Sequence, residues 1–116
     1  LIDAFRDPIV GACWDFGHGH LMLRDQRGAL KKLGSRLKAT HIQDNRADRD
    51  GHSIPFLLGN IKWEELMPVL KEIGYNGDLT YEVQNFARWI PDPLRPSAIK
   101  FAYETAEYLL SLYNNA

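Results

Sequence analysis

The chain has 116 residues, so a single domain over residues 1–116 is expected, with a modest core. It is 45% hydrophobic and 25% charged, which is ordinary for a globular protein and excludes a low-complexity or coiled-coil chain. Fourteen basic residues against fifteen acidic ones give a net charge of −1, without the basic excess that binding to nucleic-acid phosphates calls for.

Residues 1–7, LIDAFRD, read as the last turn of a helix that Pro8 stops. Ile9 to Trp14 form a short apolar run without polar alternation, the pattern of a strand buried on both faces. The polar run that follows, Asp15 to His20, reads as loop. Asp25 to Leu33 is helical in pattern and Gly34 stops it. Leu37 to Ile42 is the second strand. Residues 43–60 form a polar loop whose length points to a functional or disordered segment. Trp63 to Ile73 is the next helix, with Asn60 as a candidate cap, acidic Glu64 and Glu65 in its first turn, and Pro68 predicting a kink or a late start. Leu79 to Tyr81 is the third strand. Pro96 to Tyr113 is the longest helix. Its expected buried face is Ile99, Ala102, Tyr103, Ala106, Leu109, Leu110 and Tyr113.

Strand–helix units in series predict an α/β fold with a parallel sheet and helical crossovers. Three such units cannot close a barrel, so the sheet would keep two open edges and a bare face. The chain begins at Leu1 rather than Met, so it reads as part of something longer, or as one of several copies completed by self-association. No apolar run approaches the ~20 residues of a membrane span. No signal peptide is visible. The single Cys13 excludes an internal disulfide, sits in an apolar run as a packing residue, and fits a cytoplasmic protein.

Each predicted strand ends on a group that can bind a cation or a proton: Asp15, His41 and Glu82. In a parallel sheet these ends share one rim, where α/β folds bind ligands. A mixed set of nitrogen and oxygen donors suits Mn²⁺, Co²⁺, Mg²⁺ or Zn²⁺. Asp and His are also common wherever a strand gives way to a loop, so each residue alone reads equally as a loop residue. His18 is spaced to join the same site, whereas His20 reads as a loop histidine bonded to water. Asp50 and His52 form a D-x-H pair that either folds over the rim or stays solvated. Asp44 is placed to orient an imidazole or to pair with Arg46 or Arg49. Trp14, Phe16 and Trp89 are candidate pocket walls, and Trp63 sits on a core stripe. Phosphate-loop, dinucleotide and serine-elbow motifs are absent from the sequence.

The segments WDFGH, THIQD, DGHSIPFLLGNIKWEEL and LKEIGYNGDLTYE, followed by the closing helix, resemble the xylose isomerase-like TIM-barrel superfamily. That group holds sugar and sugar-phosphate isomerases and epimerases, with AP endonucleases of the same fold as relatives. The resemblance covers essentially the whole chain and implies strands six to eight of such a barrel. It implies Asp15, His41 and Glu82 as metal ligands, Glu82 as the catalytic acid/base, and His18, Asp50, His52, Arg46 and Trp14 as substrate contacts. In the endonuclease relatives, a D-x-H in this loop supplies extra zinc ligands. A fourth ligand, a glutamate on strand five, would lie upstream of Leu1. Where the family often has P-G-x-G, this chain has PFLLGN. The implied partner is a small sugar or polyol, with no nucleic acid and no membrane; the fragment is expected to form a homo-oligomer and to have little activity by itself.

Overall fold

The computed structural model describes all residues from Leu1 to Ala116. Three strands form one parallel sheet in the order β1 (Ala12–Asp15), β2 (Leu37–Ile42) and β3 (Leu79–Tyr81). Helices α1 (Phe16–Met22), α2 (Gln26–Leu33), α3 (Trp63–Glu72) and α4 (Arg95–Asn114) connect or follow them. Short 3₁₀ turns occupy Ile2–Ala4, Gly34–Arg36 and Asp92–Leu94. No helix is long and apolar enough to cross a membrane.

The helices lie against one face of the sheet. Trp14, Leu79 and Tyr81 pack from the strands onto a core of Phe16, Leu30, Ile42, Trp63, Met67, Leu70 and Leu109. Phe16 and Trp63 meet with ring centroids 5.2 Å apart. Strand side chains alternate between faces, so Cys13, Ala39 and Thr80 point the other way, and all three are exposed. β1 and β3 are both edge strands. The sheet is therefore open, with one covered and one bare face.

Several local expectations need correction. The segment after β1 is a helix, not a loop. Asp15 caps it, its Oδ1 accepting from the His18 N–H at 2.8 Å. Two glycines in GHGH disguise a short helix that tertiary packing holds, with Gly17 and Gly19 buried. The first strand begins only at Ala12, and Ile9 is exposed. Residues 1–7 hold one 3₁₀ turn rather than a helix end. Cys13 is exposed on the bare face rather than packed. Helix α3 runs through Pro68 from Trp63, and Lys62 rather than Asn60 stands at its cap. Gly34 and Gly74 do follow their helices with positive φ, 52° and 71°, where a side chain would be strained.

The buried face of α4 is rotated from the expected one. Ala102, Thr105 and Leu109 are buried, whereas Ile99 is 59% and Tyr103 63% exposed. Thr105 is turned inward, where its Oγ1 lies 2.9 Å from the hydroxyl of the half-buried Tyr81. The apolar residues on the flank away from α3 have no neighbouring helix to meet.

Candidate metal centre

The parallel register places Asp15 beside His41, and His41 beside Thr80, two residues before Glu82. Three strands thus deliver two carboxylates and an imidazole to one rim, and one ligand atom from each lies within 4.8 Å of the others. His41 Nδ1 is 3.1 Å from Glu82 Oε2 and 3.8 Å from Asp15 Oδ2. Asp15 Oδ2 is buried and has no hydrogen-bond donor. A buried carboxylate oxygen without a partner is costly. A divalent cation held between Asp15, His41 and Glu82 would supply that partner, so the donor set fits such an ion.

A second set lies beside the first. His18 Nε2 and His52 Nε2 each approach Asp50 Oδ2 at 3.1 Å. The His52 Nδ1–H donates to the Glu82 backbone carbonyl at 2.9 Å, and since a carbonyl only accepts, that proton is fixed on Nδ1. Nε2 is thereby left as the ligand nitrogen, the arrangement found behind metal-bound histidines. The hydrogen bond to Asp50 raises the His18 pKa above its ordinary value, against a smaller lowering by burial. Burial pulls His52 down, but the Glu82 carbonyl and Asp50 outweigh it and the net shift is upward. Burial likewise opposes ionisation of Asp50, yet bonds from His18, Gln43 and His52 bring its pKa below the usual value. Cys13, exposed on the bare face, has its thiol pKa raised by partial loss of water and then by the charges of Asp15 and Glu82.

The long loop that carries Asp50 and His52 is tied down at four places. Asp44 and Ser53 form a two-bond antiparallel bridge, at 2.8 and 3.0 Å. Ile54 packs with Val83 and Ala102, over the exit of β3. The Asn60 N–H donates to the Asn45 carbonyl at 3.0 Å. The fourth tie is Asp44, which orients no imidazole and pairs with no arginine. It is buried and accepts from the N–H groups of Asn45 (2.8 Å), Ile61 (3.1 Å) and Phe56 (3.4 Å) and from the Trp63 indole (2.9 Å). The loop also holds Ala47, His52 and Phe56 at positive φ, a strained backbone that only such anchoring sustains.

Other expected contacts lie elsewhere. Trp14 faces the helix layer, donating its indole N–H to Gln26 Oε1 at 3.0 Å, so it is turned away from the rim. Arg46 donates from Nε to the Leu58 carbonyl at 2.8 Å and lines a hollow with Asp48, Arg49 and Ser53, apart from both donor sets. Phe16 is core rather than pocket wall, and Trp89 is exposed under the Arg88 guanidinium. His20 bonds Asn60 Oδ1 at 2.7 Å, not water. Gln43, buried between the two donor sets, is the residue that sequence reading passed over. A polar side chain just beyond an apolar strand was its only signal.

The family model for the xylose isomerase-like TIM barrel matches residues 1–105. The chain belongs to that family. It is also similar to "Uncharacterized protein y4fM" of Sinorhizobium fredii (strain NBRC 101917 / NGR234), 33% identical over 82 residues. That match covers 71% of this chain and 26% of the relative, so the chain spans about a quarter of that protein's length.

Proposed function

We propose that this chain carries the metal-binding rim of a divalent-metal-dependent sugar or sugar-phosphate isomerase or epimerase. The observation that carries the reading is the buried, donorless Asp15 Oδ2 facing His41 and Glu82. Asp15, His41 and Glu82 would hold the ion, which when bound polarises the substrate's carbonyl and hydroxyl oxygens. Glu82 takes the proton from the carbon next to the carbonyl; the C–H electron pair becomes the new carbon–carbon double bond and the carbonyl π pair moves onto its oxygen. Returning the proton to the former carbonyl carbon, while the hydroxyl proton passes to the former carbonyl oxygen, interconverts ketose and aldose. Inversion at the same carbon needs a second acid on the opposite face. His18, Asp50 and His52 sit at the edge of the site, where they would hold a second ion or contact the substrate. By itself the chain should show little turnover, because the bare sheet face leaves the site open to water.

The test is metal loading. After incubation with Mn²⁺, Co²⁺ or Zn²⁺ and dialysis, elemental analysis should find bound metal, and Asp15→Ala with Glu82→Ala should lose it. Metal content unchanged in that double variant would end the reading.

The second donor set favours one other reading, a zinc phosphodiesterase acting on abasic DNA, since its two imidazoles and one carboxylate suit zinc. The near-neutral charge counts against it. In a polypeptide that completes the barrel, cleavage of an abasic duplex would support it, and solvent-deuterium incorporation into a ketose would support the isomerase.

A further inference from the structure

Gln43 follows β2 and is fully buried (0% exposed) between the two donor sets. Its Nε2 lies 3.3 Å from Asp15 Oδ1 and 2.9 Å from Asp50 Oδ1. Ionised carboxylates only accept, so both neighbours call for the NH₂ end of the amide. An amide nitrogen carries two hydrogens, and here one goes to each set. The consequence is a sorting of oxygens. Oδ1 of Asp15 also accepts from the His18 N–H, so that oxygen is occupied twice. Oδ2 of Asp15 is left facing the His18 and His41 rings, with their Nδ1 atoms 3.5 and 3.8 Å away, and Oδ2 of Asp50 is left facing His18 and His52.

Two further features mark the setting of this amide. Gln43 Oε1 is buried with no donor, an arrangement that folding alone does not reward. Gly17 packs so closely that a Cβ there would overlap the Gln43 amide, so the slot exists only because residue 17 is glycine.

We infer that Gln43 is a positioning residue shared by two cation sites: one amide selects the ligand oxygen of Asp15 and of Asp50, and so couples the two sites. This rests on the metal reading proposed above. Removing the amide takes one orienting donor from each carboxylate, so both sites weaken together. Loss of an outer hydrogen bond of this kind typically costs about 10- to 100-fold in metal affinity.

The experiment is calorimetric titration of the chain with Zn²⁺, comparing the unmodified protein with Gln43→Met, which nearly conserves volume and removes both donors. The expected result is two bound ions in the unmodified protein and affinity lower by about 10-fold or more at both sites in the variant. Two ions bound with unchanged affinity, or a loss at one site only, overturns the shared role while leaving the metal reading intact. No binding by the unmodified protein overturns the metal reading itself. If Gln43→Met does not fold, ¹⁵N NMR of the unmodified chain decides instead. Both Gln43 side-chain N–H protons should exchange slowly with solvent and shift on adding Zn²⁺. Fast exchange, or no shift, refutes the inference.

Discussion

Replacing Asp44 by alanine removes the acceptor that holds the two ends of the long loop together. Three of its bonds have good geometry: to Asn45 N–H at 2.8 Å, Ile61 N–H at 3.1 Å and the Trp63 indole at 2.9 Å. Hydrogen bonds to a charged acceptor contribute roughly 1.5–3 kcal/mol each, so the gross loss is about 4.5–9 kcal/mol. Relief from burying a carboxylate offsets several kcal/mol of this. A net loss of about 3–5 kcal/mol follows, a large part of the roughly 5–15 kcal/mol that a domain has in total. Because the loop carries Asp50 and His52, the second donor set should come apart before the whole chain unfolds. Urea unfolding measures the stability change, and amide exchange at Ile61 reports the local opening. A loss under about 1 kcal/mol, with Ile61 still protected, would refute the hub role of Asp44.

Gly59→Ala drives a Cβ into the Asp44 carboxylate and should cost about 1–3 kcal/mol in the same urea assay, as overpacking does. His18 and His52 have folded pKa values raised above the ordinary 6.5. Their contribution to metal-free stability is therefore complete below that value and is lost as pH rises through the raised folded values. Metal uptake must displace the same protons, so affinity rises with pH over that window. Thermal melts from about pH 6 to about pH 9 should thus fall without Zn²⁺ and hold with it; a metal-free melting temperature that climbs over that range contradicts the assignment. The bare sheet face, two edge strands and exposed Ile99, Tyr103 and Trp89 predict self-association. Light scattering should show species larger than one chain at micromolar concentration, and a clean monomer would speak against it.

The sheet was legible because its signals are local. LKATHI and LTY are bounded by glycine and polar residues, and the strands they predict match β2 and β3 in extent. The meeting of Asp15, His41 and Glu82 followed from parallel strands alone, since that topology sends all three ends to one rim. Helix α1 was hidden because its glycines have low intrinsic propensity, and only close packing against Gln43 and Gln26 makes them necessary. The buried stripe of α4 was misread because periodicity counts apolar residues without knowing which flank lacks a neighbour. Asp44 and Gln43 were invisible as hubs because their partners lie up to 19 and 28 residues away. Trp14, a candidate pocket wall in the sequence, faces the helix layer because adjacent strand residues face opposite ways and Asp15 takes the rim side.

The most direct measurement is anomalous diffraction at the cobalt edge from crystals soaked in Co²⁺. The account predicts a peak within about 2.0–2.3 Å of Asp15 Oδ2, His41 Nδ1 and Glu82 Oε2 together. Cobalt bound only elsewhere on the chain, or none at all, would contradict it.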